Sequence, residues 1–133
     1  MDRSDGAAGR RTILVLDDDS AVRDSLKFSL GIEGFEVHTY ASAEDLLNDE
    51  WLFASPSCLI VDFHMPAING LEVVAKLRDR RSSMPAILIT GHPDANIREC
   101  AAAAGVALIE KPFSGTSLID CIHATIERHT YRS

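Results

Sequence analysis

Five short runs rich in apolar residues divide the chain. Thr12-Ile13-Leu14-Val15-Leu16 stops abruptly at Asp17-Asp18-Asp19, and Cys58-Leu59-Ile60-Val61 stops at Asp62. Ala86-Ile87-Leu88-Ile89-Thr90 stops at Gly91-His92-Pro93, and Val106 to Ile109 stops at Glu110-Lys111-Pro112. Unbroken runs of this length, rich in β-branched residues, fit strands covered on both faces of a parallel sheet. The remaining run, Phe35 to Tyr40, is less apolar and reads as a strand nearer an edge.

Between the runs the apolar period lengthens to that of helices. Val22, Leu26 and Leu30 make a stripe at i, i+4, i+8, with Ser20 available as a cap and Gly34 as a terminator. Ser42 opens a short helix through Leu46 and Leu47, and residues 49 to 57 read as a loop holding Trp51 and Pro56. Leu71, Val73, Val74 and Leu77 mark a helix to about Arg80. An Ala-rich helix follows over 94–104, stopped by Gly105. Leu118, Ile119, Ile122 and Ile126 make the last helix amphipathic.

The alternation is (βα)5. Strands alternating with helices predict an α/β fold with a doubly wound parallel sheet, and the five-strand order 2-1-3-4-5 is the natural choice. The expected organisation is a flexible polar leader over 1–11, one domain over 12–129 and a short tail over 130–133, with no second domain. A length of 133 residues suits one core of this kind. The net charge of −7 argues against direct nucleic-acid binding, which needs a basic face. No stretch is long and apolar enough to span a membrane, and no signal peptide is evident, so a cytoplasmic location is expected. Cys58, Cys100 and Cys121 are too far apart for a usual zinc site and read as buried free thiols.

In a doubly wound sheet, ligands bind outside the carboxyl ends of the strands, where the strand order reverses. Asp17, Asp18, Asp62, Thr90 and Lys111 all fall at such ends, and the reversal lies between the first and third strands, which carry the carboxylates. One Asp after a strand is usually a turn former or a cap. Several at one buried exit repel each other, and a hard divalent cation relieves that repulsion. Mg²⁺ fits the oxygen ligands, with Mn²⁺ a substitute. Asp62 is a candidate nucleophile for forming an aspartyl phosphate. Lys111 and Thr90 are candidates to contact phosphoryl oxygens, and Gly91 would let backbone N–H approach them. The Lys111-Pro112 bond is a candidate cis peptide.

Taken in order, Val15-Leu16-Asp17-Asp18-Asp19, Val61-Asp62-Phe63-His64-Met65-Pro66 with Gly70, Ile89-Thr90-Gly91 and Glu110-Lys111-Pro112-Phe113 resemble the receiver domain of two-component response regulators. The Ile-Thr-Gly-His and Glu-Lys-Pro-Phe segments are most similar to the nitrogen-fixation type. The resemblance covers about residues 12 to 128 and implies a flavodoxin-like fold. It further implies that Asp62 takes phosphoryl from a histidine kinase or a histidine phosphotransfer protein. Mg²⁺ would be held by Asp18 and Asp62, by the His64 backbone carbonyl, and by Asp17 largely through water. Thr90 and Lys111 would sense the phosphoryl group, while Met65, Pro66, Gly70 and Pro112 would shape the loops. Catalysis of its own phosphorylation and slow dephosphorylation would be the extent of any enzyme activity.

One departure concerns the position three residues before the lysine, where the family usually has Tyr or Phe. Here it is Leu108, which puts the aromatic half of the switch in question; Phe113 is the nearest ring and reads as packing. His64 and His92 sit two residues after Asp62 and Thr90, positions that in the family flank the entry of hydrolytic water; they read either as plain exposed loop histidines or as groups that shield or tune that entry. Output would pass to an unidentified protein through the face made by helix 94–104, strand 106–109 and helix 116–129. A homodimer is allowed without being required. A phosphate relay or sink is a variant of the same reading. Two alternatives remain: a dehalogenase-type phosphotransferase using Asp17, and a degenerate receiver that only binds.

Overall fold

The computed structural model describes residues 11–49, 58–80, 84–111 and 115–132. Each apolar run becomes a strand: β1 (Thr12–Leu16), β2 (Glu36–Tyr40), β3 (Cys58–Asp62), β4 (Ala86–Thr90) and β5 (Ala107–Glu110). The intervening helices are α1 (Ser20–Ile32), α2 (Ala43–Leu47), α3 (Gly70–Asp79), α4 (Ala95–Ala103) and α5 (Gly115–Arg132). All four strand pairs are parallel, in the order β2-β1-β3-β4-β5. The order 2-1-3-4-5 expected from the alternation is therefore the one formed, with β2 at an edge.

The strands alternate between two cores, since successive side chains leave opposite faces of a strand. Leu14, Leu16, Leu59, Val61, Ala86 and Leu88 pack with Leu46, Val73, Val74, Leu77 and Ile97 of α2, α3 and α4. Ile13, Val15, Cys58, Ile60, Ile87 and Ile89 pack with Leu26 and Leu30 of α1 and Leu118, Ile122 and Ile126 of α5. Both faces are thus dry, which is why the strands read as unbroken apolar runs rather than alternating ones.

Local chemistry corrects some of the expected boundaries. Asp19, not Ser20, caps α1, its side chain accepting from the Ala21 N–H at 2.9 Å. Ser42 caps α2 as expected, and Asp94 caps α4 by accepting from Ile97 N–H. Asn69 and Glu72 form a reciprocal capping box at the start of α3. Gly34 and Gly105 follow α1 and α4 with φ of 97° and 71°, a conformation that glycine adopts without steric cost. The last helix continues through positions assigned above to a tail. Cys58 is buried and Cys121 half-buried, both unpaired, but Cys100 lies on the outer side of α4 and is exposed. Burial pushes the Cys58 thiol up to about 12. Trp51, Pro56, Pro112, Phe113 and most of the expected leader lie outside the described residues, as does the Lys111-Pro112 bond. No described helix is long and apolar enough to cross a membrane.

Gly70 positions α3 against the functional end of β3. A Cβ placed there would lie 2.7 Å from the Asp62 carbonyl oxygen and 2.7 Å from Leu88 Cδ1. The obstruction includes backbone, which cannot swing aside. Gly70→Ala is expected to cost about 1–3 kcal/mol, despite its better helix propensity. Urea unfolding checks this as a lower midpoint at unchanged m-value; an unchanged midpoint would mean that α3 shifts to make room.

Candidate functional site

The C-terminal ends of β1, β3, β4 and β5 bring together the residues singled out from the sequence. Asp17 leaves β1 with its N–H still donating to the Tyr40 carbonyl of β2 at 3.2 Å, so the strand conformation carries it to the sheet's edge. Its side chain is fully buried. One carboxylate oxygen accepts from the Asp19 N–H at 2.9 Å and the other from Lys111 Nζ at 3.2 Å. Asp62, the last residue of β3, is 5% exposed. Its Oδ1 accepts from the His64 N–H at 3.1 Å and its Oδ2 from Lys111 Nζ at 3.1 Å. Asp18 is exposed, but one carboxylate oxygen from each of Asp17, Asp18 and Asp62 lies within 4.8 Å of the others.

Lys111 follows β5, and its N–H donates to the Thr90 carbonyl at 2.8 Å. That bond prolongs the β4–β5 ladder by one step and holds the lysine beside the two carboxylates. Thr90 is fully buried, and its hydroxyl oxygen accepts from the His92 N–H at 3.2 Å. Gly91 has open space where a Cβ would project. His64 and His92 are both exposed, with ring centroids 6.5 Å apart, so the two loops present their imidazoles on one rim. Phe63 supports His64 edge-on at 5.0 Å.

The β3–α3 loop is tightly wound. Phe63 N–H donates to the Ile89 carbonyl, Gly70 N–H to the Phe63 carbonyl, and Ile68 N–H to the Pro66 carbonyl. Met65 packs against the α2–α3–α4 core while Pro66 is exposed. Ala67 sits at φ 69°, a left-handed conformation that costs a residue with a Cβ roughly 1–2 kcal/mol. Leu108 pairs with Leu88 across the β4–β5 ladder and is half-buried against the same core.

Electrostatically the site is short of positive charge. Among the described residues, three carboxylates face the Lys111 ammonium, with the Arg23 guanidinium on the main-chain side of Asp17, so negative charge is in excess. Unit charges 4.8 Å apart repel by about 3–4 kcal/mol at an effective dielectric constant near 20. Burial raises the Asp17 pKa and the Asp62 charge raises it further; the Asp19 N–H and Lys111 oppose this without cancelling it. For Lys111, burial alone would lower the pKa, but the hydrogen bonds and charges of Asp62 and Asp17 outweigh it and hold the ammonium above its ordinary value. All three candidate ligands are hard oxygens, and each carboxylate oxygen that accepts one hydrogen bond keeps a second lone pair. The donor set therefore fits a hard divalent cation, whose charge would balance the cluster.

Two features escaped the sequence reading. The capping box at Asn69 was signalled by Asn-x-x-Glu before an apolar stripe. The reach of Arg23 to the Asp17 carbonyl, at 2.8 Å, carried no signal beyond a basic residue early in α1.

Comparison with known proteins agrees with this architecture. The family model of the response regulator receiver domain matches residues 13–123. The transcriptional regulatory protein FixJ of Rhizobium meliloti is 38% identical over 120 residues, covering 87% of this chain and 57% of that protein. The C4-dicarboxylate transport transcriptional regulatory protein DctR of Rhodobacter capsulatus is 33% identical over 124 residues, covering 91% and 62%. The chain thus spans a little over half the length of the curated relatives it matches. Among solved structures, a CheY-like response regulator receiver domain protein from Methanospirillum hungatei superimposes with a TM-score of 0.82 at 28% identity, covering 94% of this chain and all of that one. With the fold, the clustered carboxylates and a family match over most of its length in hand, the chain belongs to the response regulator receiver domain family.

Proposed function

We propose that this receiver accepts a phosphoryl group on Asp62 from a phosphohistidine donor, either a histidine kinase or a histidine phosphotransfer protein. The observation that carries this reading is the setting of Asp62, a strand-end carboxylate with one oxygen on Lys111 and the other on a backbone N–H. Attack by a carboxylate oxygen on phosphorus forms the P–O bond as the P–N bond to the donor imidazole breaks. Asp17, Asp18, Asp62 and the His64 carbonyl would hold Mg²⁺ or Mn²⁺. The cation, when bound, supplies the positive charge that draws the incoming phosphoryl oxygens towards the carboxylate. Lys111 stands ready to move from the carboxylates to a phosphoryl oxygen. Thr90, with the Gly91 backbone, offers further donors. Met65, Pro66 and Gly70 shape the β3–α3 loop beside this centre.

Phosphoryl acceptance is better supported than a strong conformational output. Leu108 offers neither a phenol hydroxyl nor a ring to follow the movement of Thr90, which favours a relay, a sink or a signal carried by surface contact. The face of α4, β5 and α5 is the surface proposed for a downstream protein, and a homodimer through it is compatible with this reading. A phosphohistidine donor of this kind would meet the receiver in the cytoplasm, the location proposed with this reading. The dehalogenase-type alternative would need Asp17 as nucleophile; full burial beneath Lys111 disfavours it.

Incubation with Mg²⁺ and a small phosphodonor is expected to add one phosphoryl mass, and Asp62→Asn to lose it. An adduct that survives Asp62→Asn but not Asp17→Asn would establish the dehalogenase-type reading. The rim histidines are assigned a shielding role. The His64→Ala/His92→Ala double variant is expected to shorten the phosphoryl lifetime by about threefold as water gains access; an unchanged decay would refute shielding. A third expectation concerns stability without metal. The Asp17 pKa is raised in the folded state, so its contribution favours folding only when protonated and is lost as pH rises through the folded value. Asp17→Asn removes the fully buried member of the like-charged cluster and leaves Lys111 to Asp62, and should stabilise the metal-free protein at neutral pH by roughly 1 kcal/mol. Thermal unfolding in chelator should show the gain vanish below the ordinary carboxylate pKa; a gain at all pH values would trace it to packing instead.

A further inference from the structure

Arg23 stands in the first turn of α1, on the helix that leaves the acidic end of β1. Its backbone N–H donates to the Asp19 carbonyl at 3.1 Å, closing the first helical turn, and Asp19 itself caps the helix. Its main chain is therefore fixed relative to the aspartates. The half-buried side chain folds back across the loop, and Nη1 donates to the Asp17 carbonyl oxygen at 2.8 Å. The paired register of β1 with both neighbours ends at Leu16, so this carbonyl lies beyond the ladder.

The Asp17 carbonyl and the Asp18 N–H belong to one planar peptide unit. Tethering its oxygen fixes the plane, and with it the ψ of Asp17 and the φ of Asp18. Those two angles set how the carboxylates on either side of the peptide are aimed. Asp17 is also held from its side chain, by Asp19 N–H and Lys111, whereas Asp18 is exposed. The main chain is thus the chief constraint on where the Asp18 carboxylate points.

We propose that Arg23 is a positioning residue for a divalent cation, acting through the Asp17–Asp18 peptide and not through its charge. This rests on the reading that Asp17, Asp18 and Asp62 hold the cation. The two possible roles of the arginine predict opposite signs. A guanidinium acting only as a nearby positive charge repels the cation, so removing it tightens binding. A guanidinium that aims two ligands, when removed, weakens binding.

The test is Mn²⁺ binding, followed by electron paramagnetic resonance of the free ion, to the wild-type chain and to Arg23→Met and Arg23→Lys. Thermal unfolding in chelator accompanies it. Loss of the tether is expected to raise the Mn²⁺ dissociation constant of Arg23→Met by about tenfold, the scale seen when outer-shell support of metal ligands is removed. Arg23→Lys, which keeps the charge and one donor able to reach the carbonyl, should recover part of that loss. Equal or tighter binding in Arg23→Met overturns the proposal while leaving the metal site standing. If Arg23→Met is unfolded at the assay temperature, Arg23→Lys decides alone: weakened binding at wild-type unfolding temperature supports positioning, and unchanged binding overturns it. A wild-type chain that binds no Mn²⁺ overturns the metal site itself, and this proposal with it.

Discussion

Two buried carboxylates sharing a single ammonium is the constraint around which the functional end of this protein is arranged. Lys111 contacts Asp17 and Asp62 at nearly equal distance, 3.2 and 3.1 Å. It does so across 94 and 49 residues of sequence. Each partner exits a different strand, so the contact exists only when β1, β3 and β5 end at the same level. Parallel pairing supplies that alignment, and the Lys111 N–H bond to the Thr90 carbonyl extends it by the one step needed. The ion pairs do not hold the sheet together; the two apolar cores do. They record where the sheet has delivered its charges.

The arrangement is costly in stability, as functional ends of proteins often are. Asp17 is fully buried with a raised pKa, beside a like charge and with only a shared counter-ion. Ala67 holds a left-handed backbone conformation without being glycine. Gly70 gives up a side chain so that α3 can begin against the Asp62 carbonyl. The clustered aspartates leave unbalanced negative charge at the strand ends, while Ala67 and Gly70 fix the loop and helix start beside it. The cation proposed above would balance that charge. The strongly apolar strands, buried on both faces, offset these costs.

The residues proposed to relay phosphorylation are packed in place. Leu108 is packed and aliphatic, in register with Leu88. Thr90 is buried with its hydroxyl already accepting from His92. A movement of Thr90 towards a phosphoryl group would have to break that bond, and no ring at position 108 would follow it. The β4–α4 loop, which carries His92, is the segment such a movement reaches first.

Much of this was legible in the amino-acid order, for definite reasons. Strands buried on both faces must be apolar throughout, so they stand out as runs; their polar stops mark the sheet edge. Asp17, Asp62, Thr90 and Lys111 could be placed together because topology alone sends the ends of parallel strands to one edge. Cap identity was less readable, since Asp19 and Ser20 are both competent caps and only backbone geometry selects Asp19. The exposure of Cys100 was misjudged because an apolar neighbourhood in sequence is not one face of a helix with 3.6 residues per turn. What the sequence determined by itself was the fold and the set of charged residues at its rim, because both follow from period and position. Tertiary structure alone decided which oxygen each donor takes: that Lys111 bridges two aspartates, that Gly70 lies under Asp62, and that Arg23 grips the peptide between Asp17 and Asp18. Those contacts depend on positioning to within a few tenths of an ångström, whether the partners lie six residues apart, as Arg23 and Asp17 do, or 94, as Lys111 and Asp17 do, and no local pattern encodes them.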